Sequence, residues 1–459
     1  MASHLIDSQV YKDSWSTEEM RQVWDDMSMI RRWLEVETAL AEAEAELGVI
    51  PAEAAREIRM KARVELLDFD YIAAEFQRTG HSIMPILRNV QRLCDDGWGE
   101  YIHYGATTQD ITDTGMMLGV KESYTIILRD LSEIEEALMR LAERHRSTVM
   151  PGRTHGQHAL PATFGFKAAI WLREISRNIS RFVQSRERVL VGNLCGGVGT
   201  YSGFGSLGME IDRRVMDKIG LGTADIAWHT SRDRLAEFAC LMAMVGCTLG
   251  KIGNEIYELQ KTEIAELKEP FAMGQVGSST MPHKRNPEIA EAVHGLSKLV
   301  RYRAAMMLES LVGEHERDGA AWKPEWVTIP EACLYLSAVL SKSALLLNGL
   351  EVEEQRMRGN LDMLKGLIMS EAAMFGLGQR LGKQTAHTAV YEASIGSYSE
   401  GISFKDSLLK HSAIRGKITA AELDDMLRPE KYIGLAEPIV DRALEQTRRE
   451  RAERLEGLW

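Results

Sequence analysis

The sequence predicts an all-α protein built around long helices, and three observations support this. The composition is globular, with 45% hydrophobic residues, 7% aromatic residues and only 11 prolines among 459 residues. Apolar residues recur at steps of three and four in several long stretches, whereas strand-like alternation is rare. The length suits two or three domains, or one domain of elongated helices.

Residues 1–109 are predicted to form an N-terminal helical domain of short helices. Ser16-Thr17-Glu18-Glu19 has the pattern of a capping box that begins a helix. A longer helix follows, in which the apolar residues between Ile30 and Leu40 share one face, and Pro51 ends it after Gly48.

Residues 110–350 are predicted to form a central bundle of five long helices. Apolar residues from Ile127 to Leu141 step by four, three, four and three, which indicates a helix packed in a bundle. The other long helices are expected over 163–189, 235–267, 289–311 and 329–350. The helix over 235–267 is apolar on several faces, as in a bundle centre or a subunit interface. Residues 351–459 are predicted to form a C-terminal helical domain.

Charge and composition restrict the partners and the location. The net charge of −12 provides no basic surplus for nucleic acid or an anionic membrane surface. No run of about 18 uncharged apolar residues predicts a membrane span, and the first residues do not resemble a secretory signal. The five cysteines form no Cys-x-x-Cys pair and are expected to be free thiols, so we predict a cytoplasmic protein.

The stretch from Gly277 to Pro287 carries most of the functional information. It reads Gly-Ser-Ser-Thr-Met-Pro-His-Lys-Arg-Asn-Pro, and its glycine and prolines favour a flexible, non-helical segment. Its hydroxyls and its lysine suit a substrate that carries carboxylates. The alternative is an ordinary polar surface loop.

Other polar clusters interrupt the apolar pattern. Thr107 and Thr108 precede a helix, where they either cap it or bind a carboxylate. His155 and His158 lie three residues apart, but no Glu or Cys at matching spacing completes a metal site, so an acid–base histidine is the better interpretation. The glycine-rich segment 192–208 has no phosphate-binding motif. No metal and no organic cofactor are therefore predicted.

The serine-containing stretch resembles the mobile loop of the fumarase/aspartase superfamily, whose pattern is Gly-Ser-Ser-x-Met-Pro-x-Lys-x-Asn. Residues 104–110 and 152–155 resemble its two substrate-carboxylate loops, in the right order. Gln260 lies where the adenylosuccinate lyase branch has a substrate-binding glutamine. The resemblance implies a homotetramer with a twenty-helix core, in which three subunits contribute to each active site.

The resemblance also implies a role for each matching residue. Ser278 would be the catalytic base, with Lys284 and Asn286 holding the carboxylate whose charge grows. His155 would act on the acid side with His81, and Glu291 would orient His155 and raise its proton affinity. By itself, Glu291 would be a solvated helix carboxylate. The remaining residues implied to bind substrate are Thr107, Thr108, Thr154, Gln260, Ser279 and Met281.

The implied reaction is anti elimination of fumarate from a small dicarboxylate substrate. Several sequence motifs, including Trp228-His229-Thr230, most resemble the 3-carboxy-cis,cis-muconate cycloisomerase branch. Cycloisomerases, however, typically lack counterparts of His81, His155 and Glu291, which expulsion of an amine requires. A C–N lyase is therefore favoured over a cycloisomerase or a fold that has lost its chemistry.

Within the C–N lyases, adenylosuccinate lyase is a further alternative. That family binds the nucleotide phosphate at the positions that correspond to residues 11–15 and 319–326. In this sequence, Trp322, Glu325 and Trp326 are poor phosphate ligands. The predicted substrate is therefore an N-substituted aspartate with a smaller or more apolar substituent, or a related substituted succinate.

Overall fold

The structure is a computed structural model that describes residues 4–456. Five helices exceed twenty residues within the segment 108–348: α6 (Thr108–Arg144), α7 (Phe164–Val189), α9 (Asp233–Gln260), α10 (Glu288–Glu309) and α12 (Glu325–Asn348). Before them lie α1 (Glu18–Trp24), α2 (Asp26–Glu46), α3 (Ala52–Lys61), α4 (Phe69–Thr79) and α5 (Met84–Leu93), and between them α8 (Gly208–Ile219) and α11 (Gly319–Trp322). After them lie α13 (Glu354–Leu361), α14 (Ser370–Leu381), α15 (Lys383–Glu400), α16 (Phe404–Lys410), α17 (Ala420–Met426) and α18 (Ala436–Glu456).

Strands are few in the described residues, and they form two antiparallel pairs. β1 (Val149–Thr154) pairs with β2 (Gln157–Thr163), and β3 (Leu267–Lys268) pairs with β4 (Glu351–Val352). The prediction of an all-α fold is confirmed, but the first hairpin was missed.

The chain divides into two compact units, and each long helix contributes residues to both. The first unit contains 1–131, 178–250 and 295–341. In it, Tyr124 of α6 stacks on Phe238 of α9 at 5.1 Å and meets Phe182 of α7 edge-on at 5.2 Å. The Tyr124 hydroxyl lies 2.8 Å from Ser185 Oγ, so this buried ring has a polar partner as well as apolar contacts.

The second unit contains 132–177, 251–294 and 342–459. Here the hydroxyl of Ser176 on α7 donates to the buried carboxylate of Glu135 on α6, at 2.6 Å. Arg451 of α18 binds the same carboxylate at 3.1 Å, which fastens the last helix to this unit. The predicted boundaries at 109 and 350 follow a different division and stay a prediction.

The prediction of one helix over 235–267 is wrong at its end, because α9 ends at Gln260. Ala265 has a φ of 51°, in the left-handed region, and the amide of Glu266 turns back to the carbonyl of Leu259 at 2.8 Å. This reversal places Glu266 in the interior, where its partners lie.

Two helical stretches are long and apolar enough to cross a membrane by length and composition, namely Asp233–Gln260 and Gly319–Asn348. In their most apolar windows, 61% and 72% of the residues are buried inside the protein, as in the core helices of soluble proteins. All five cysteines are free thiols, and Cys247 is exposed.

Candidate active site

The segment between β3 and α10, residues 270–287, contains the predicted base and is called the serine loop below. Ser278 is half-buried, and its Oγ accepts hydrogen bonds from the backbone N–H groups of Met281 at 3.1 Å and Thr280 at 3.4 Å. Amide donors directed at an oxygen stabilise that oxygen when it becomes negative. The local turn therefore favours a Ser278 alkoxide more than an unstructured loop would.

The serine loop closes on itself below an exposed tip. Gly277 is buried against the carbonyl of Lys284, and a Cβ at this glycine would lie 2.3 Å from that oxygen. The side chains of Ser279, Met281 and Lys284 are exposed, whereas Asn286 is half-buried. No side chain larger than glycine fits at 277, so the loop has a defined closure.

The predicted acid, His155, stands at the tip of the β1–β2 hairpin. Thr154 pairs with Gln157, which leaves His155 and Gly156 as a two-residue turn with φ values of 51° and 76°. Two successive positive φ values match the turn whose twist suits a tight hairpin. Thr154 and His155 are both exposed, so the hairpin presents them to solvent.

A buried ion pair fixes this hairpin. Arg153 donates to both carboxylate oxygens of Glu266, at 2.6 and 2.8 Å, and Asn360 Nδ2 donates to Glu266 at 2.8 Å. Glu266 is fully buried, so its charge depends on these partners. Sequence reasoning missed this cluster, although Arg153 lies in a motif that carries the resemblance.

His158, the second histidine of the hairpin, is in a different environment from His155. Burial is the largest cause that lowers its pKa, followed by the nearby positive charge of Arg153. Its Nδ1 is buried and has no hydrogen-bond partner in the described residues. Both observations favour the neutral form of His158.

Gln260 is the last residue of α9, and it contacts the chain just before the serine loop. Its Oε1 accepts a hydrogen bond from the backbone N–H of Glu269 at 2.7 Å. Because the amide oxygen is used, the NH₂ end of the half-buried side chain remains as the donor for a ligand carboxylate.

Glu291 lies in the first turns of α10 and is exposed. Within residues 4–456 of this single chain, no hydrogen bond or ion pair joins Ser278, Lys284, His155 and Glu291 to one another. The predicted pairing of His155 with Glu291 is therefore not made within one chain and stays a prediction.

The remaining predicted residues, His81, Thr107 and Thr108, lie in the first unit. His81 follows the end of α4, and its Nδ1 accepts a hydrogen bond from the backbone N–H of Met84 at 3.3 Å. A neutral ring with this bond carries its proton on Nε2. In that form, Nε2 can donate a hydrogen bond to another group.

Thr107 lies at the start of α6, and its hydroxyl does not serve as a simple cap. The Asp110 carboxylate accepts from the Thr107 N–H at 2.9 Å, whereas Thr107 Oγ1 accepts from the Arg317 guanidinium at 2.9 Å. Arg317 also donates to the carbonyl of Gly197 at 3.1 Å. An exposed cation therefore lies beside the half-buried threonine turn, which suits an anionic ligand.

Asp110 holds this turn in place. Its buried carboxylate accepts from the N–H groups of Cys195 at 3.0 Å and Gly196 at 2.9 Å, and it lies 3.1 Å from His229 Nε2. Carboxylates with several donors of this kind order the backbone around them. The glycine-rich segment and the start of α6 are thereby joined.

Asp110, Cys195 and His229 are also the one group of described residues whose ligand atoms could hold a metal ion, within 4.8 Å of one another. The donor set fits poorly. Burial is the largest cause that raises the pKa of the Cys195 thiol, followed by the charge of Asp110, so the thiolate that a metal needs is disfavoured. Among residues 4–456, His229 Nδ1 also has no hydrogen-bond partner of the kind that orients a metal-bound histidine.

A second buried cluster joins the segment that follows Arg317 to Arg232 and to Asp113 of α6. The Arg232 guanidinium binds the carboxylates of Glu325, at 2.9 Å, and Asp113, at 2.6 Å. Trp322 Nε1 donates to Asp113 at 2.9 Å, and Trp326 lies edge-on to Trp322 at 5.1 Å. The charge of Arg232 is thus compensated internally, and the polar atom of Trp322 is occupied.

The sequence matches two family models and many known proteins. A family described as "Lyase" matches residues 12–301, and "Adenylosuccinate lyase C-terminus" matches residues 366–443. An N-acetyl-S-(2-succino)cysteine lyase from Dickeya dadantii is 46% identical over 444 residues, which cover 97% of this chain and 98% of that protein. An adenylosuccinate lyase from Methanocaldococcus jannaschii is 39% identical over 447 residues, covering 97% and 96%.

The fold matches solved structures of the same kind. The crystal structure of 3-carboxy-cis,cis-muconate lactonizing enzyme from Pseudomonas putida superposes with a TM-score of 0.91 at 32% sequence identity. The match covers 96% of this chain and 100% of that chain. The range 12–301 matched by the first family model includes the serine loop, the hairpin and the threonine turn.

Proposed function

This chain belongs to the fumarase/aspartase superfamily of lyases, in the adenylosuccinate lyase and muconate cycloisomerase branch, and from that premise we propose that it eliminates fumarate from a succinylated thiol. The predicted resemblance is confirmed, as is the prediction of an enzyme in the C–N lyase branch at the level of the family. The bond that this chain breaks in its own substrate is the subject of the proposal.

The single observation that carries the proposed chemistry is the complete serine loop, with Ser278 Oγ held by two backbone donors. A serine can remove a carbon-bound proton only if its alkoxide is stabilised, and these donors supply part of that stabilisation. The exposed ammonium of Lys284 supplies positive charge on the same loop. Closure of the loop over substrate would exclude water and strengthen both effects.

In the proposed reaction, Ser278 removes the proton from the methylene carbon of the succinyl group. The electrons pass into the adjacent carboxylate, which becomes an aci-carboxylate dianion held by Lys284 and Asn286. The carbon–sulfur bond then breaks, a proton supplied by His155 or His81 joins the sulfur, and fumarate and a thiol are released. Thr107, Thr108 and Thr154 are proposed to bind the two carboxylates.

Sulfur is proposed as the leaving atom because of the Dickeya relative. Its name describes a succinyl group on the sulfur of N-acetylcysteine, and it is 46% identical to this chain over nearly the full length of both. Such a compound is a substituted succinate with a small substituent, as the sequence predicts. The compensated charge of Arg232 and the occupied Trp322 also argue against a phosphate ligand in their segment.

A C–N lyase acting on an N-substituted aspartate is the second candidate. It is favoured by the two predicted proton donors, because an amine leaves only when protonated, whereas a thiol is more acidic and leaves more readily. The adenylosuccinate lyase relative supports the same candidate. We further propose that the enzyme acts as a cytoplasmic homotetramer whose subunits share each site.

A substrate panel tests the proposal. Purified protein is incubated with N-acetyl-S-(2-succino)cysteine, adenylosuccinate, a simpler N-substituted aspartate and 3-carboxy-cis,cis-muconate, and fumarate, free thiol and muconate absorbance are followed. We expect one thiol for each fumarate from the first compound, with the highest kcat/KM. Preference for an N-substituted aspartate would select the second candidate, and muconate loss with lactone formation would overturn both. Inactivity on all four would support a protein that kept the fold and lost the chemistry.

A further inference from the structure

We propose that Glu269 is a positioning residue that holds the two ends of the serine loop together. Its carboxylate accepts hydrogen bonds from the backbone N–H of Ile289 at 3.1 and 3.2 Å and of Ala290 at 3.0 Å. Glu269 lies immediately before the loop, and these two amides lie in the first turn of α10, immediately after it. One side chain thus closes a loop of about twenty residues.

The closure combines charge with geometry. The first N–H groups of a helix have no partner within that helix and carry partial positive charge. Glu269 is 4% exposed, so these bonds form away from bulk water. Burial is the largest cause that raises the pKa of Glu269, and the amide bonds oppose it.

Glu269 is also tied to the predicted substrate-binding Gln260. Its backbone N–H donates to Gln260 Oε1 at 2.7 Å. The end of α9, the entry to the serine loop and the start of α10 are therefore joined at one residue. A shift of this junction would move Gln260 and the origin of the loop together.

Two contacts continue the closure toward the tip of the loop. The Arg285 guanidinium lies over the ring of Phe271 at 4.9 Å, which pairs the outgoing and returning chain. Above it, Gly277 fits against the carbonyl of Lys284. The exposed tip with Ser278 is therefore supported by the lower part of the loop, which ends at Glu269. This lower part determines how far and in which direction the tip extends.

The consequence for catalysis rests on the proposed function, in which Ser278 removes a proton. A catalytic base that is misplaced by about 1 Å can lower the rate on the order of 100-fold. Loss of the Glu269 carboxylate should therefore lower kcat more than it raises KM, because the predicted carboxylate-binding Thr107, Thr108 and Thr154 lie outside the serine loop.

The experiment compares Glu269→Ala and Glu269→Gln with a matched control, Glu288→Gln. Glu288 is an exposed acid one residue before Ile289, and it does not accept these hydrogen bonds. Hydrogen–deuterium exchange at Ile289 and Ala290, and protease cleavage within 270–287, are measured in the full-length enzyme. The kcat and KM are measured on the substrate found by the panel.

We expect Glu269→Ala to speed amide exchange and loop cleavage about tenfold or more and to lower kcat by roughly 10- to 100-fold. Glu269→Gln, which keeps one oxygen acceptor, should recover most of both, and Glu288→Gln should match the wild type. Unchanged exchange and cleavage in Glu269→Ala would overturn the proposal; so would a KM effect without a kcat effect.

If Glu269→Ala does not fold, wild-type exchange and kcat in Glu269→Gln support the proposal, and slow exchange with lost kcat overturns it. The exchange arm needs no turnover, so it remains decisive if the proposed function fails.

Discussion

The threonine turn at 107–108 and the serine loop both carry residues predicted to contact carboxylates, but they are built in opposite ways. The turn is held by the buried carboxylate of Asp110, which has three backbone donors and one histidine as partners. The serine loop has an exposed tip and is held at its base, at Glu269. The contrast is that buried hydrogen bonds fix the turn at its centre, whereas the serine loop is fixed at its two ends.

This difference determines where a substitution takes effect. The carboxylate of Asp110 and the ring of His229 are buried and depend on their partners, so loss of the carboxylate should lower the stability of the fold. At the loop tip, no described side chain forms a hydrogen bond or ion pair with the side chain of Ser278 or Lys284, so a change there should leave stability nearly unaltered.

The largest expected effect on stability is that of Asp110→Ala. Removing the carboxylate leaves the N–H groups of Thr107, Cys195 and Gly196 and the ring of His229 without their buried partner. We expect a loss of about 3–5 kcal/mol in the free energy of unfolding, measured by urea denaturation. The comparison variant Ser278→Ala should change it by less than about 0.5 kcal/mol. Equal losses in the two variants would show that the two regions are not built differently.

A smaller effect is expected at Glu44, a fully buried acid on α2 whose two carboxylate oxygens have no partner in the described residues. Burial is the largest cause that raises its pKa to about 8, followed by the charge of Glu37. The folded protein therefore holds a proton that the unfolded chain releases above its ordinary pKa of 4.5. This group costs no stability below pH 4.5, and its cost grows as the pH rises to about 8.

Glu44→Gln should remove this pH-dependent cost. We expect the variant to be more stable than the wild type at pH 8.5 by roughly 1–3 kcal/mol, with a smaller difference at pH 5. Thermal melting at the two pH values measures both. Glu65→Gln, an exposed acid in the same unit, is the control and should show little change at either pH. A benefit of Glu44→Gln that is the same at both pH values would contradict a buried, protonated Glu44.

Much of the fold follows from local patterns in the sequence. The apolar steps from Ile127 to Leu141 predict α6, and the stretch 163–189 predicts α7 almost to the residue, because each pattern is contained within one helix. The hairpin at 149–163 was not predicted. Pro151, Gly152 and Pro161 interrupt its strands, and the tip at His155 uses a left-handed conformation that histidine adopts only in a suitable fold.

The candidate site was predictable only in part, for the same physical reason. The serine loop is a continuous string, so its residue types can be read directly. The cluster of Arg153, Glu266 and Asn360 brings together residues about a hundred positions apart, and no local pattern encodes their contact. The assembly of His155, Glu291 and Ser278 into one site requires other copies of the chain under the proposed function.

Proton removal by Ser278 is tested most directly by a time course of fumarate and thiol release from N-acetyl-S-(2-succino)cysteine. The wild type, Ser278→Ala and His283→Gln are compared. His283 is an exposed residue at a variable position of the same loop, so it controls for disturbance of the tip. We expect equal amounts of both products from the wild type and from His283→Gln, and a rate lower by at least about 100-fold in a fully folded Ser278→Ala enzyme. Release at an undiminished rate by Ser278→Ala would contradict proton removal by Ser278.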